Sequence, residues 1–103
     1  MARFGLDTPF RDVASGELAG ATVATQLPNI PCRLVQIIAA YDNAGRVYLG
    51  GSTVTVKDGT TDVTSGRELS AGQETPWIPL DNLNRLWRIC DNAGDDVTYL
   101  VLR

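Results

Sequence analysis

The chain has 103 residues, 20% of them charged, and a formal net charge of −3 at neutral pH. That length holds one domain with one core, and an acidic chain with a single lysine, Lys57, lacks the clustered cations that a phosphate backbone requires. No run approaches the roughly 20 apolar residues of a membrane-spanning helix, and Met1-Ala2-Arg3-Phe4-Gly5-Leu6-Asp7 holds no apolar run of signal-peptide length; a soluble protein made in the cytoplasm is expected.

Residues 1–31 are rich in Gly, Ala, Thr and Asp and show no sustained period of 2 or 3.6. Their few large apolar groups, Phe4, Leu6, Phe10, Val13, Leu18 and Leu27, are irregularly spaced, which predicts an extended N-terminal arm that orders on binding. Fully extended, it spans on the order of 100 Å at about 3.3 Å per residue. Phe4, Leu6, Phe10, Val13 and Leu18 are therefore candidate partner-binding residues. An added edge strand on a neighbouring subunit is one docking mode open to them. Pro28-Asn29-Ile30-Pro31 marks the boundary, and residues 32–103 are expected to form the folded domain.

Cys32 to Tyr41 is a long apolar run whose β-branched residues favour a strand. Asp42-Asn43-Ala44-Gly45 is a turn, with Gly45 expected at positive φ, and Arg46 to Leu49 returns as a second strand that Gly50-Gly51 ends. Ser52 to Lys57 alternates, with Val54 and Val56 on one face, and reads as a third. Asp58-Gly59, Ser65-Gly66 and Ala71-Gly72 are turn signals. Pro76 and Pro79 make Thr75 to Leu80 an edge strand or irregular connection, and Trp77 between them is a candidate interface anchor. Asp81-Asn82-Leu83-Asn84 reads as a turn. Arg85 to Cys90 and Val97 to Leu102 read as a last hairpin around Asp91-Asn92-Ala93-Gly94, with Trp87 in the core. Strands with turn signals about every ten residues predict an all-β fold, a small antiparallel β-sandwich or barrel preceded by the extended arm. The repeated Asp-Asn-Ala-Gly is read as one good hairpin turn used twice.

Chemistry is hard to find in this composition. With no histidine there is no common general base, and no Ser-His or Cys-His nucleophile can be assembled. Asp95-Asp96, and Glu17 with Asp12, read as solvated surface acids. The oxygen-rich stretch 91–96 lacks the spacing and the distal bidentate Glu of an EF-hand loop. Cys32 and Cys90 are not at metal spacing and read as small buried hydrophobes, a bridge between them requiring neighbouring strands. No cofactor, no metal and no catalytic residue is expected.

Several pieces resemble one known pattern: Val35-Gln36-Ile37; Val47-Tyr48-Leu49-Gly50-Gly51-Ser52 with Val54-Thr55; Arg67-Glu68-Leu69-Ser70-Ala71-Gly72-Gln73; Ile78-Pro79-Leu80-Asp81-Asn82-Leu83; and Val97-Thr98-Tyr99-Leu100. In order and spacing, over roughly 70 residues, they resemble the β-modules of small bacteriophage virion proteins of the head decoration (cement) and head-fibre type. Pro79 departs from the polar or small residue usual there, and residues 1–31 lie outside the pattern. The resemblance implies a non-enzymatic capsid decoration protein on the virion surface, its partners the major capsid protein or other virion proteins. A homo-oligomer, with a trimer favoured, is expected. The alternative is a receptor-binding or adhesin module of a head fibre, collar or tail.

Overall fold

The strongest apolar alternation lies in β3 (Leu34–Ala39) and β8 (Val97–Leu102), and in the computed structural model, which describes residues 11–57 and 63–103, these strands pair antiparallel at the centre of one sheet. β1 (Val13–Leu18) bonds to the far side of β8 and β6 (Ile78–Pro79) to the far side of β3, giving the order β1-β8-β3-β6. The second sheet runs β2 (Thr25–Gln26), β7 (Trp87–Cys90), β4 (Val47–Gly50), β5 (Arg67–Leu69), again antiparallel throughout. A 3-10 helix, Leu83–Arg85, precedes β7, and Asn82 caps it by accepting from the Asn84 N–H at 2.9 Å. The chain is all-β, two antiparallel four-stranded sheets, as its sequence predicts.

The core lies between the sheets. Val35, Ile37 and Ala39 of β3 and Val97 and Val101 of β8 have no exposed surface, and they pack with Val47, Leu49, Leu69 and Cys90 of the second sheet. Outside this core, the excursion after β4 folds back over the second sheet's outer face. A side chain on Gly50 would meet Val54 at about 3.0 Å, and Tyr48, two residues earlier on that face, is buried.

Several expectations are corrected. Residues 13–31, expected as arm, enter both sheets: β1 pairs with β8 along its whole length, β2 pairs with β7, and Leu27 is a core residue. The inward positions of β1 are Ala14, Gly16 and Leu18, so two of the three carry almost no apolar signal. Gly16 is small of necessity, since a Cβ there would lie 2.6 Å from the Tyr99 hydroxyl. Phe4, Leu6 and Phe10, like the turn expected at Asp58-Gly59, lie outside the described residues.

Neither Asp-Asn-Ala-Gly turn closes a hairpin. The first carries the chain from β3 in one sheet to β4 in the other, and the second carries it back from β7 to β8. Gly45 is not at positive φ; among the described glycines only Gly72 is, at 79°. Space is what Gly45 supplies, because a Cβ would meet Asp91, Asn92 and Asp95 at 2.7 Å. Ser52 to Lys57 forms no strand beyond an isolated bridge between Thr55 and Ser65. Trp87 lies outside the core cluster, because strand alternation gives the inward positions of β7 to Arg88 and Cys90. Arg88 donates through Nη2 to the Ala19 carbonyl at 3.0 Å while its buried Nε has no partner, and burial pushes its guanidinium down from the ordinary arginine range.

Candidate interaction surface

Strand alternation determines which side chains the first sheet offers to its surroundings. Since Val35, Ile37, Val97 and Val101 face the core, their neighbours face outward. The register then sets Val13, Leu102, Leu34 and Pro79 in one row across all four strands. The next row is Ser15, Leu100 and Gln36, and the third is Glu17, Thr98 and Ile38. The first row is wholly apolar. Val13 is 57% exposed at one end of it, whereas Leu34, flanked by Leu102 and Pro79, keeps only 3%. Trp77 directly precedes β6 and is 39% exposed beside that edge of the sheet.

Of the candidates named from sequence, Val13 and Trp77 thus flank the first sheet at its opposite edges. Leu18 does not join them, because it faces inward opposite Val97 and packs against the core. Sequence reading missed Leu100, Leu102 and Ile38. All three lie in strands whose apolar content looks like core, and only the register separates the two faces.

The oxygen-rich stretch 91–96 spends its ligands internally. Asp95, almost wholly buried, accepts from the Ala44 and Gly45 N–H groups through Oδ1, each at 3.0 Å. Its Oδ2 accepts from the Asn92 backbone N–H at 2.9 Å and from Asn92 Nδ2 at 3.0 Å. Burial alone pushes the carboxyl up, but these donors outweigh it and hold Asp95 below the usual carboxylate range. Asn43 exchanges two further bonds with Asp96, so the two turns are tied to each other.

A polar depression of about 590 Å³ lies on the other sheet, lined by Gln26, Asp81, Asn82, Asn84, Arg85 and Trp87. Arg85 holds Asp81 bidentately, at 3.0 and 3.2 Å, and this bond and charge keep Asp81 below the ordinary carboxylate range. Ionised at neutral pH, Asp81 is an acceptor there and not an acid. The two cysteines are free, Cys32 beside the first sheet and Cys90 in the second, and burial raises both thiols, leaving them protonated and poorly nucleophilic.

No protein family, curated protein or solved structure matches this chain.

Proposed function

We propose that the chain is a non-enzymatic structural protein of a tailed-phage particle, a decoration (cement) protein that binds the assembled major capsid shell. The apolar row Val13–Leu102–Leu34–Pro79, with Trp77 at its edge, carries this reading. A solvent-facing sheet in a small domain ordinarily alternates to polar residues on its outer side. An apolar row that surfaces at Val13, with a partly exposed tryptophan at the far edge, fits a protein partner better than water. The partner's identity rests on the sequence resemblance to phage β-modules.

The mechanism is linkage: a protein that binds only the assembled shell stabilises it by mass action. Particles lacking the protein are expected to release their genome at lower temperature or lower salt, and Trp77→Ala protein is expected to restore them less well than wild type. Equal robustness of deleted and complete particles would remove the cement role. A second reading, a glycan-binding adhesin on a fibre, collar or tail, draws on Trp87 and the planar polar groups of the depression. Copy number separates the two, since decoration calls for hundreds of copies per particle and a fibre or tail position for a few to tens.

A further inference from the structure

The side chains around the polar depression on the second sheet are held in place by bonds of their own. Strand alternation, with Arg88 and Cys90 buried, turns the half-buried Trp87 to the outer face of β7. Register sets Gln26 beside it on one flank, and Gly50 on the other flank carries no side chain. Gln26 Nε2 donates to the Asn84 carbonyl at 2.9 Å, which fixes that amide and leaves its Oε1 without a donor among the described residues. Asn82 accepts from the Ile30 N–H at 3.1 Å and donates through Nδ2 to Asn29 Oδ1 at 2.7 Å, so it cannot swing away. The Asn84 side-chain amide makes no hydrogen bond among the described residues. Asp81 and Arg85 grip each other through two bonds and cancel in charge.

The lining therefore offers one aromatic surface, planar amides with a donor beside an acceptor, and an ion pair of no net charge. Arg85 is the one cation among the described lining residues, and its charge is already spent on Asp81, which leaves nothing to hold a phosphate. One indole is too little apolar surface for a lipid tail or an apolar peptide side chain. Sugar hydroxyls both donate and accept, as these amides and this ion pair require. Sugar C–H groups carry the slight positive charge that the negative face of an indole attracts.

We propose that this depression binds a neutral pyranose unit of a saccharide, stacked on Trp87 and hydrogen-bonded by Gln26, Asn84 and the Asp81–Arg85 pair. Side chains fixed beforehand lose little freedom on binding, which favours a small polar ligand. The site binds and does not cleave: Asp81 is the one carboxyl among the described lining residues, and glycoside hydrolysis takes two. This site deepens the glycan-binding reading and rests on it, whereas the apolar row behind the shell-binding reading belongs to the other sheet.

The test is a heteronuclear NMR titration of the full chain with glucose, galactose, mannose, N-acetylglucosamine, maltotetraose and cellotetraose, each to about 20 mM, a range that reaches millimolar affinity. At least one of these sugars is expected to shift the Trp87 indole and the Gln26 and Asn84 amide signals together. Trp87→Ala is expected to weaken that binding by at least about tenfold and Asn84→Ala by about fivefold, and Trp77→Ala is expected to leave it unchanged. Asn84→Ala removes no side-chain bond from the fold, so it reads the site even where Trp87→Ala unfolds the chain. No shift with any of the six sugars, shifts confined to other residues, or binding that Asn84→Ala leaves intact would each overturn the proposal. Copy number per particle, which tests the fibre or tail position, is a separate measurement, so the site and that position can fail independently.

Discussion

Asp95 shows how one side chain can hold two distant turns in place. Ala44, Gly45 and Asn92 aim four donors at its two oxygens, and removing the charge leaves part-buried N–H groups with one acceptor weakened and the other lost. An unmet buried donor costs about 1–3 kcal/mol. Asp95→Asn is nearly the same shape but sets an amide N–H₂ against N–H donors, so a loss of about 2–4 kcal/mol is expected in urea unfolding at pH 7. The pH dependence has a definite sign. Because folding lowers the Asp95 pKa, its contribution is complete above the unfolded value and fades as pH falls through the folded one. Thermal stability is therefore expected to hold down to about pH 5 and to decline below about pH 4, and Asp95→Asn is expected to be flatter over that acid limb. A variant as stable as wild type at pH 7 would mean that the turns hold together without this carboxylate.

At the scale of the element, β1 is the segment whose sequence conceals its structure. A strand is ordinarily recognised by large apolar residues at every second position, and β1 places Ala14 and Gly16 there, the glycine because Tyr99 of the neighbouring strand occupies the space. Its end is pinned as tightly. The Gly20 N–H donates to Asp96 at 3.2 Å, and a Cβ on Gly20 would lie 2.7–2.8 Å from the carbonyl oxygens of Asn92, Ala93 and Asp95. Backbone cannot yield as a side-chain tip can, so Gly20→Ala is expected to cost about 1–3 kcal/mol. Gly94→Ala is the matched control: nothing lies within 4 Å of its added methyl and its φ is not positive, so a change within about 0.5 kcal/mol is expected. Equal effects at the two positions would show that the β1 terminus does not sit against the second turn.

At the scale of the molecule, the two inter-sheet arches interlock. β3 and β4 form one, β7 and β8 the other, and each strand of one is hydrogen-bonded to a strand of the other. Neither arch can complete its pairing before the other arrives, and Leu34 finds its partner Leu102 only after most of the chain has been gathered. Closing such long loops precedes any return in contacts. Refolding is therefore expected in the range of milliseconds to seconds, followed by tryptophan fluorescence in stopped flow. Submillisecond folding would show that local contacts lead. The arches also explain what the Asp-Asn-Ala-Gly repeat does: equivalent turns make equivalent crossings between sheets, and Asp95 after the second copy, where Arg46 follows the first, locks the pair.

The sequence by itself determined the all-β class, the strands β3, β4, β7 and β8 and the proline-limited edge at β6, because apolar alternation and turn residues are local signals. It also determined the lack of histidine chemistry. Only the tertiary structure decided which turns cross between sheets, that Val13–Leu18 is a strand and that Trp87 faces out while Arg88 faces in. The same holds for the outer face, where Leu34, Leu100 and Leu102 line up. Each of these depends on which strand lies beside which. An apolar residue has the same signature in sequence whether its face meets a second sheet or the surroundings, and a glycine reveals its reason only when the group that fills its space is in place.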